Sequence, residues 1–239
     1  MERLDKFLCG SGAGTRSQVK DILKAGRVTV DGNPEKDGSR KIDPAVHTVT
    51  LDGQPLGGKR RMVVMLNKPA GYVTATEDAA EKTVMELLPE AWRHMDLRPV
   101  GRLDKATEGL LLFTNDGDFA HRLLHPSHQV DKVYLVTVRG DIRGAAERLM
   151  AITELDGEPI APAQARELCR REGQALLRVT IHQGKNRQIR RMCAGLGLHV
   201  EKLQRVEEDG LRLDDLPIGK WRYLTAQEIQ RITGGDTRE

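Results

Sequence analysis

Several familiar signatures are missing from this chain, and each absence removes a class of protein. Cys9, Cys169 and Cys193 stand far apart with no C-x-x-C spacing, which argues against a disulfide framework or a zinc ribbon and fits a reducing cytoplasm. No apolar run approaches the length of a bilayer span and the first residues carry no secretory core. The expectation is a cytoplasmic protein without a membrane partner. No Gly-rich strand-to-helix loop is present, so a doubly wound nucleotide fold is not expected, and no nucleophile elbow supports Ser–His–Asp chemistry. Aromatic residues make up only 3%, and Trp92 and Trp221 read as core or hinge packing rather than as stacking platforms.

What remains is a chain of 239 residues with 38% hydrophobic and 31% charged residues. That is enough for one large domain, or for a small domain and a medium one. The net charge of +3 is compatible with an anionic partner, but the distribution of charge carries more information than the total.

Leu4, Phe7 and Leu8 follow i, i+3, i+4 spacing and predict a short amphipathic helix, broken by the segment from Gly10 to Gly14. Thr15-Arg16-Ser17-Gln18 reads as a capping box. The helix it opens buries Val19, Ile22 and Leu23 and stops at Gly26. On its other side Arg16, Lys20 and Lys24 recur every four residues, and Arg27 follows the stop. Two alternating strands come next, Val28–Val30 and Val49–Leu51, each running into an Asp-Gly turn signal at Asp31-Gly32 and Asp52-Gly53. Gly57-Gly58-Lys59-Arg60-Arg61 is a basic connector, giving domains over 1–57 and 62–239 with a linker at 58–61.

The longer part reads as strands interrupted by scattered helices. Strands are expected at 62–66, 132–138 and 175–182, with extended segments at 72–74, 160–166, 199–206 and 210–213, and Asn67-Lys68-Pro69-Ala70-Gly71 as a break. Helices are expected after the capping box Thr83–Glu86, near 119–124 and 145–151, after Asn186, and after the capping box Thr225–Glu228. Without regular βαβ alternation this is an α+β domain built on a mixed, mostly antiparallel sheet with flanking helices. In the helix after Asn186, Arg187, Arg190 and Arg191 lie together. From Ile181 to Arg205 the bases Lys185, Arg187, Arg190, Arg191, Lys202 and Arg205 face a single acid, Glu201. That segregation predicts a contact surface for a polyanion or a carboxylate.

Gly101-Arg102-Leu103-Asp104 sits in a loop ahead of a buried-type run, Leu110-Leu111-Leu112-Phe113. Read alone, Asp104 is either a turn residue or a reactive carboxylate on a rigid support. Asp116 and Asp118 lie in an Asn-Asp-Gly turn context rather than in a glycosidase pair. Of His121, His125 and His128 only the first two share a helical face, so they read as surface or RNA-facing residues, not as metal ligands.

The N-terminal pattern, with Arg3-Leu4-Asp5-Lys6 and Gly26-Arg27-Val28-Thr29-Val30-Asp31-Gly32, resembles the RNA-binding domain of ribosomal protein S-four. Four further motifs make the whole chain resemble the RsuA-like branch of the bacterial ribosomal RNA pseudouridine synthases. They are Leu66-Asn67-Lys68-Pro69-Ala70-Gly71-Tyr72-Val73; Gly101-Arg102-Leu103-Asp104 with Thr107-x-Gly109-Leu110-Leu111-Leu112; Lys132-x-Tyr134-x-Val136; and Gly184-Lys185-Asn186-Arg187-Gln188-Ile189-Arg190-Arg191-Met192.

The resemblance implies a pseudouridine synthase fold and isomerisation of a uridine in ribosomal RNA, free or in a pre-ribosomal particle. It implies a monomer that needs no cofactor and no metal. By the same resemblance Asp104 is the catalytic carboxylate, Tyr134 packs on the target base, Arg190 pairs with the aspartate and Arg102 holds the nucleotide out of its helix. Lys68, Lys185, Arg187 and Arg191, with Arg16, Lys20, Lys24 and Arg27, are the expected RNA contacts. A carboxylate beside an arginine stays ionised, and a structured target must be unstacked before it can react. Two other readings remain open on sequence alone: a non-catalytic RNA-binding or assembly factor on the same scaffold, and a small-molecule hydrolase using Asp104.

Overall fold

The computed structural model describes residues 1–44, 46–57 and 61–234. They fall into two compact units. In the first, helices α1 (Leu4–Gly10) and α2 (Arg16–Lys24) precede a sheet of Val28–Val30, Asn33–Pro34, Val49–Leu51 and Gln54–Pro55. The capping box at Thr15 forms as expected: Gln18 N donates to Thr15 Oγ1 at 3.3 Å and Thr15 N to Gln18 Oε1 at 2.8 Å, which satisfies two N–H groups that the helix start would otherwise orphan. Leu4, Phe7, Leu8, Val19, Leu23, Val28, Val30, Ile42 and Val49 form one core. Both Asp-Gly pairs take positive φ at both residues, 52° and 80° at Asp31-Gly32 and 51° and 78° at Asp52-Gly53. That geometry matches the right-handed twist of the strands they join.

The first unit also takes in Leu88–Arg98 and Thr114–Asp116. Side chains explain the clustering: Met62 N donates to Asn115 Oδ1 at 3.0 Å, Thr114 Oγ1 to Met62 O at 2.7 Å and Asn115 Nδ2 to Met95 O at 3.2 Å. Of the connector expected at 58–61, residues 58–60 lie outside the described residues.

The second unit is built on a mixed sheet with strand order Gln164–Arg171, Gln174–Ile181, Lys132–Gly140, Leu198–Glu208, Glu108–Thr114, Val63–Lys68 and Trp221–Tyr223. The three strands at the Gln164 end and Leu198–Glu208 pair antiparallel in turn, and Trp221–Tyr223 runs antiparallel to Val63–Lys68. Leu198–Glu208 meets Glu108–Thr114 in parallel, with Arg205 opposite Gly109. The expected α+β class with a mostly antiparallel sheet is what the chain adopts. Helices α3 (Gly117–Leu124), α4 (Ala145–Met150), α5 (Gln188–Gly195) and α6 (Ala226–Thr233) flank it. Phe119 and Leu123 of α3 and Ile232 of α6 share a core with Val63, Met65, Leu110 and Leu112. From Gly109 to Thr114 every residue is buried, as a strand covered on both faces requires.

Two local expectations are corrected. Asn67 and Lys68 do not break their strand, which runs through Lys68; Asn67 N donates to Lys220 O at 2.9 Å and its Nδ2 to Leu216 O at 2.7 Å. The segment after Thr83 is a 3-10 turn, Val84–Leu87, rather than an α-helix, held by Thr83 N donating to Glu86 Oε1 at 2.8 Å.

Candidate active site

The loop bearing Asp104 is fastened from several sides. Leu103 N donates to Thr74 Oγ1 at 3.1 Å and that hydroxyl donates to Leu103 O at 2.7 Å. Gly71 N donates to Lys105 O at 2.8 Å, and Thr107 N to Asp104 O at 2.9 Å. The Lys68 ammonium contacts four carbonyls, those of Pro69 at 3.0 Å, Asp104 at 3.2 Å, Lys105 at 3.3 Å and Thr107 at 2.8 Å. Lys68 was expected among the RNA contacts. It is instead 0% exposed and serves as an internal clamp, because a buried ammonium must spend its donors on protein acceptors. Burial pushes it down to about 8, against the opposing charges of Asp104 and Glu108.

Replacing the clamp with an apolar side chain of similar length tests this. Lys68→Met leaves the loop carbonyls without a donor and removes one buried charge, so the expected net cost is about 2–3 kcal/mol. At this chain length that corresponds to a fall in Tm of about 5–10 °C. Thermal unfolding followed by circular dichroism reads it; an unchanged Tm would mean that the clamp does not hold the loop.

Asp104 opens on a cavity of about 510 Å³ whose walls include Thr74, Arg102, Tyr134, Lys185 and Arg187. Asp104 is half-buried, Arg102 and Arg187 are exposed and Tyr134 is buried. Burial raises the Tyr134 hydroxyl above its usual range, the neighbouring Arg205 lowers it, and the charges of Glu208 and Asp104 raise it again. The site thus combines one carboxylate, one buried tyrosine that stays neutral at ordinary pH, and a cationic rim.

Arg190 reaches this loop, but not in the way expected. Its Nη2 donates to Ala106 O at 3.0 Å, and no ion pair joins it to Asp104 among the described residues. Burial lowers the guanidinium while the Asp104 charge acts against that shift, so the two groups interact through the field rather than by contact. Arg187 lies outside α5, in the left-handed region at φ 48°. It therefore turns to the cavity, while Arg191 pairs with Asp156 and also donates to Asn186 O at 3.1 Å.

The single basic surface expected from Lys185 to Arg205 is broken up. Lys185 is held by Glu158 at 2.8 Å and Lys202 by Glu108 at 3.1 Å, while Arg205 is buried against Glu208 at 3.1 Å. Glu158 and Glu108 come from other segments and Glu208 lies three residues past the end of the basic run, so a count of charge over 181–205 overlooks all three. In the first unit Arg16, Lys20 and Lys24 are exposed with no ion pair among the described residues. Arg27 is not free: it forms a two-armed pair with Asp52 at 2.9 and 2.5 Å. His121 and His125 are exposed, with ring centroids 4.8 Å apart. Thr74 goes unseen as a site residue in the sequence, and Arg205 reads there only as one base of a contact surface, not as a buried residue. Arg205 left a signal, since alternation places it on the same face as the buried Leu203.

Comparison with known proteins names the class to which this loop, cavity and sheet belong. The RNA pseudouridylate synthase family matches residues 62–195, and an S4 domain matches residues 2–46. The chain belongs to the RNA pseudouridylate synthase family. It is 38% identical over 233 residues to the uncharacterized RNA pseudouridine synthase YtzG of Bacillus subtilis, covering 96% of this chain and 98% of that one. It is 39% identical over 234 residues to ribosomal small subunit pseudouridine synthase A of Vibrio vulnificus, covering 96% and 99%. A crystal structure of a pseudouridylate synthase superposes with a TM-score of 0.66 at 31% identity, over 97% of this chain and 100% of the other. The enzyme isomerises uridine to pseudouridine in RNA. Among the described residues no helix is long and apolar enough to cross a membrane.

Proposed function

We propose that this enzyme modifies a uridine of ribosomal RNA, with Asp104 as the carboxylate that acts on a flipped-out nucleotide in the cavity. The observation that carries the reading is the clamped loop, which presents a half-buried aspartate to a cavity of about 510 Å³ that a buried tyrosine of the strand Lys132–Gly140 also lines. That volume is within the range of small-ligand sites, roughly 300–1,000 Å³.

The chemistry breaks the bond between N1 of uracil and the ribose, turns the base and joins C5 to the same sugar carbon. N1 gains a proton and C5 loses one, so nothing is oxidised or reduced. Asp104 is the group that acts on the nucleotide. Tyr134 packs on the base and replaces part of the stacking lost on flipping. Arg102 and Arg187, which carry no ion pair among the described residues, face the displaced strand and its phosphates. Arg190 keeps positive charge near the carboxylate. Lys185 and Arg191 meet RNA only by exchanging Glu158 and Asp156 for phosphate.

Residues 1–57 form the module that grips structured RNA, through Arg16, Lys20 and Lys24, and 62–239 form the catalytic domain. The match to an S4 domain supports the first assignment. A ribosomal target is supported by the name of the Vibrio vulnificus relative.

The test is a map of pseudouridines in ribosomal RNA from a strain lacking this chain. One pseudouridine should disappear and return on complementation with the intact gene. A map identical to that of the parent strain overturns the ribosomal target.

A further inference from the structure

Arg205 is the largest side chain among those with under 2% of their surface exposed. It occupies a position where the strand Leu198–Glu208 turns an apolar side chain, Leu203, to the same face. A buried ion pair stabilises a core little better than well-packed apolar residues of similar volume, and often less well. Packing alone therefore gives no reason for a guanidinium here.

Its contacts give one. Nε donates to Leu110 O at 2.8 Å, on the strand that begins four residues after Asp104. Nη1 donates to Glu208 Oε1 at 3.1 Å. In the sheet register Arg205 lies directly opposite Tyr134, as Glu208 lies opposite Lys132. Nη2 is buried and without a partner, as is Oε2 of Glu208. The guanidinium also lies close enough to the Tyr134 hydroxyl to favour its ionised form against burial. Arg205 does not line the cavity, so any effect on the nucleotide has to pass through its neighbours.

We propose that Arg205, on the strand between them, is a positioning residue that fixes Tyr134 relative to the strand following Asp104, so that carboxylate and tyrosine keep one spacing through the reaction. The inference rests on the roles proposed above for Asp104 and Tyr134. Its physical content is a rigid guanidinium on the intervening strand Leu198–Glu208, bonded to the strand that follows Asp104 on one side and opposite Tyr134 on the other. A fork of fixed geometry does this where a flexible ammonium cannot. Small displacements of a reacting group are enough to lower a rate steeply.

The experiment uses the full chain and ribosomal RNA prepared from a strain lacking it, with uridine tritiated at C5. Formation of the new bond at C5 releases the label. Arg205→Met alone would leave Glu208 as an uncompensated buried charge, so it is combined with Glu208→Leu; Arg205→Lys is made separately. With both proteins folded well above the assay temperature, the double variant should lose at least about tenfold in kcat at unchanged KM, and Arg205→Lys should recover part of that loss. A folded double variant with kcat within about twofold of the parent, or a loss confined to KM, overturns the proposal. If the double variant does not fold, Arg205→Lys decides: lowered kcat at unchanged melting supports the role, and parental kcat overturns it. Asp104→Asn is assayed alongside. Activity retained there removes the reading on which this inference rests. An inactive Asp104→Asn beside fully active Arg205 variants overturns the positioning role alone.

Discussion

Asp104→Asn is expected to lower pseudouridine formation by about 10³-fold or more, the scale on which essential acid, base or nucleophilic groups act. The substitution is nearly isosteric, so the loop should survive it. The bonds that fasten the loop at this residue use the backbone carbonyl, which accepts from Lys68 Nζ at 3.2 Å and from Thr107 N at 2.9 Å. Only the side-chain charge is lost. Arg190 and Lys68 each lose a favourable neighbouring charge, a secondary effect that leaves their hydrogen bonds in place. RNA affinity should stay within about threefold of the parent, because binding is dominated by cations meeting phosphates. That affinity should fall steeply with added salt in both proteins. Tritium release from C5-labelled ribosomal RNA reads the first effect, and filter binding at two salt concentrations reads the second. Activity within about tenfold of the parent would remove Asp104 from the chemistry. Weak salt dependence would instead favour a small-molecule substrate.

Much of the fold was legible because its determinants are local. The capping boxes at Thr15 and Thr225 need only residues three apart, and both form in full. The Asp31-Gly32 and Asp52-Gly53 turns are set by the low cost of positive φ at Asp and Gly. The strand Lys132–Gly140 announces itself by alternation. The resemblance pointed to the Asp104 loop and to Tyr134, and both line one cavity.

The rest depended on contacts distant in sequence. Lys68 looks like an exposed cation next to a proline because its carbonyl partners lie 36, 37 and 39 residues away. The basic face around α5 looked unopposed because its acids, Glu158 and Asp156, sit 27 and 35 residues upstream of the bases they hold. Arg205 was counted with those bases, although its burial follows from the parallel pairing with Glu108–Thr114. No local pattern contains that pairing.

The same pairing yields the second large effect: Gly109→Ala should cost at least about 3 kcal/mol, lowering Tm by about 10 °C or preventing folding. Two costs add at this position. Its φ of +103° is a conformation that side chains with a Cβ rarely adopt. A Cβ built here would also meet Arg205 O at 2.1 Å, Arg205 N at 2.8 Å and Arg205 C at 2.9 Å. All three are backbone atoms of a strand paired on both sides, so no side-chain rotation relieves the clash. Gly109 must shift, and with it the strand that begins four residues after Asp104. Gly117, at the start of α3, is the control: a Cβ there meets nothing within 4 Å, so Gly117→Ala should be neutral or stabilising by up to about 1 kcal/mol. Thermal unfolding of the two variants separates close backbone approach from a general penalty on replacing glycine. Equal Tm values for both would mean that the strand following Asp104 and the strand of Arg205 do not meet as tightly as this register requires. The expected gap between them ties the position of the carboxylate to a single missing Cβ.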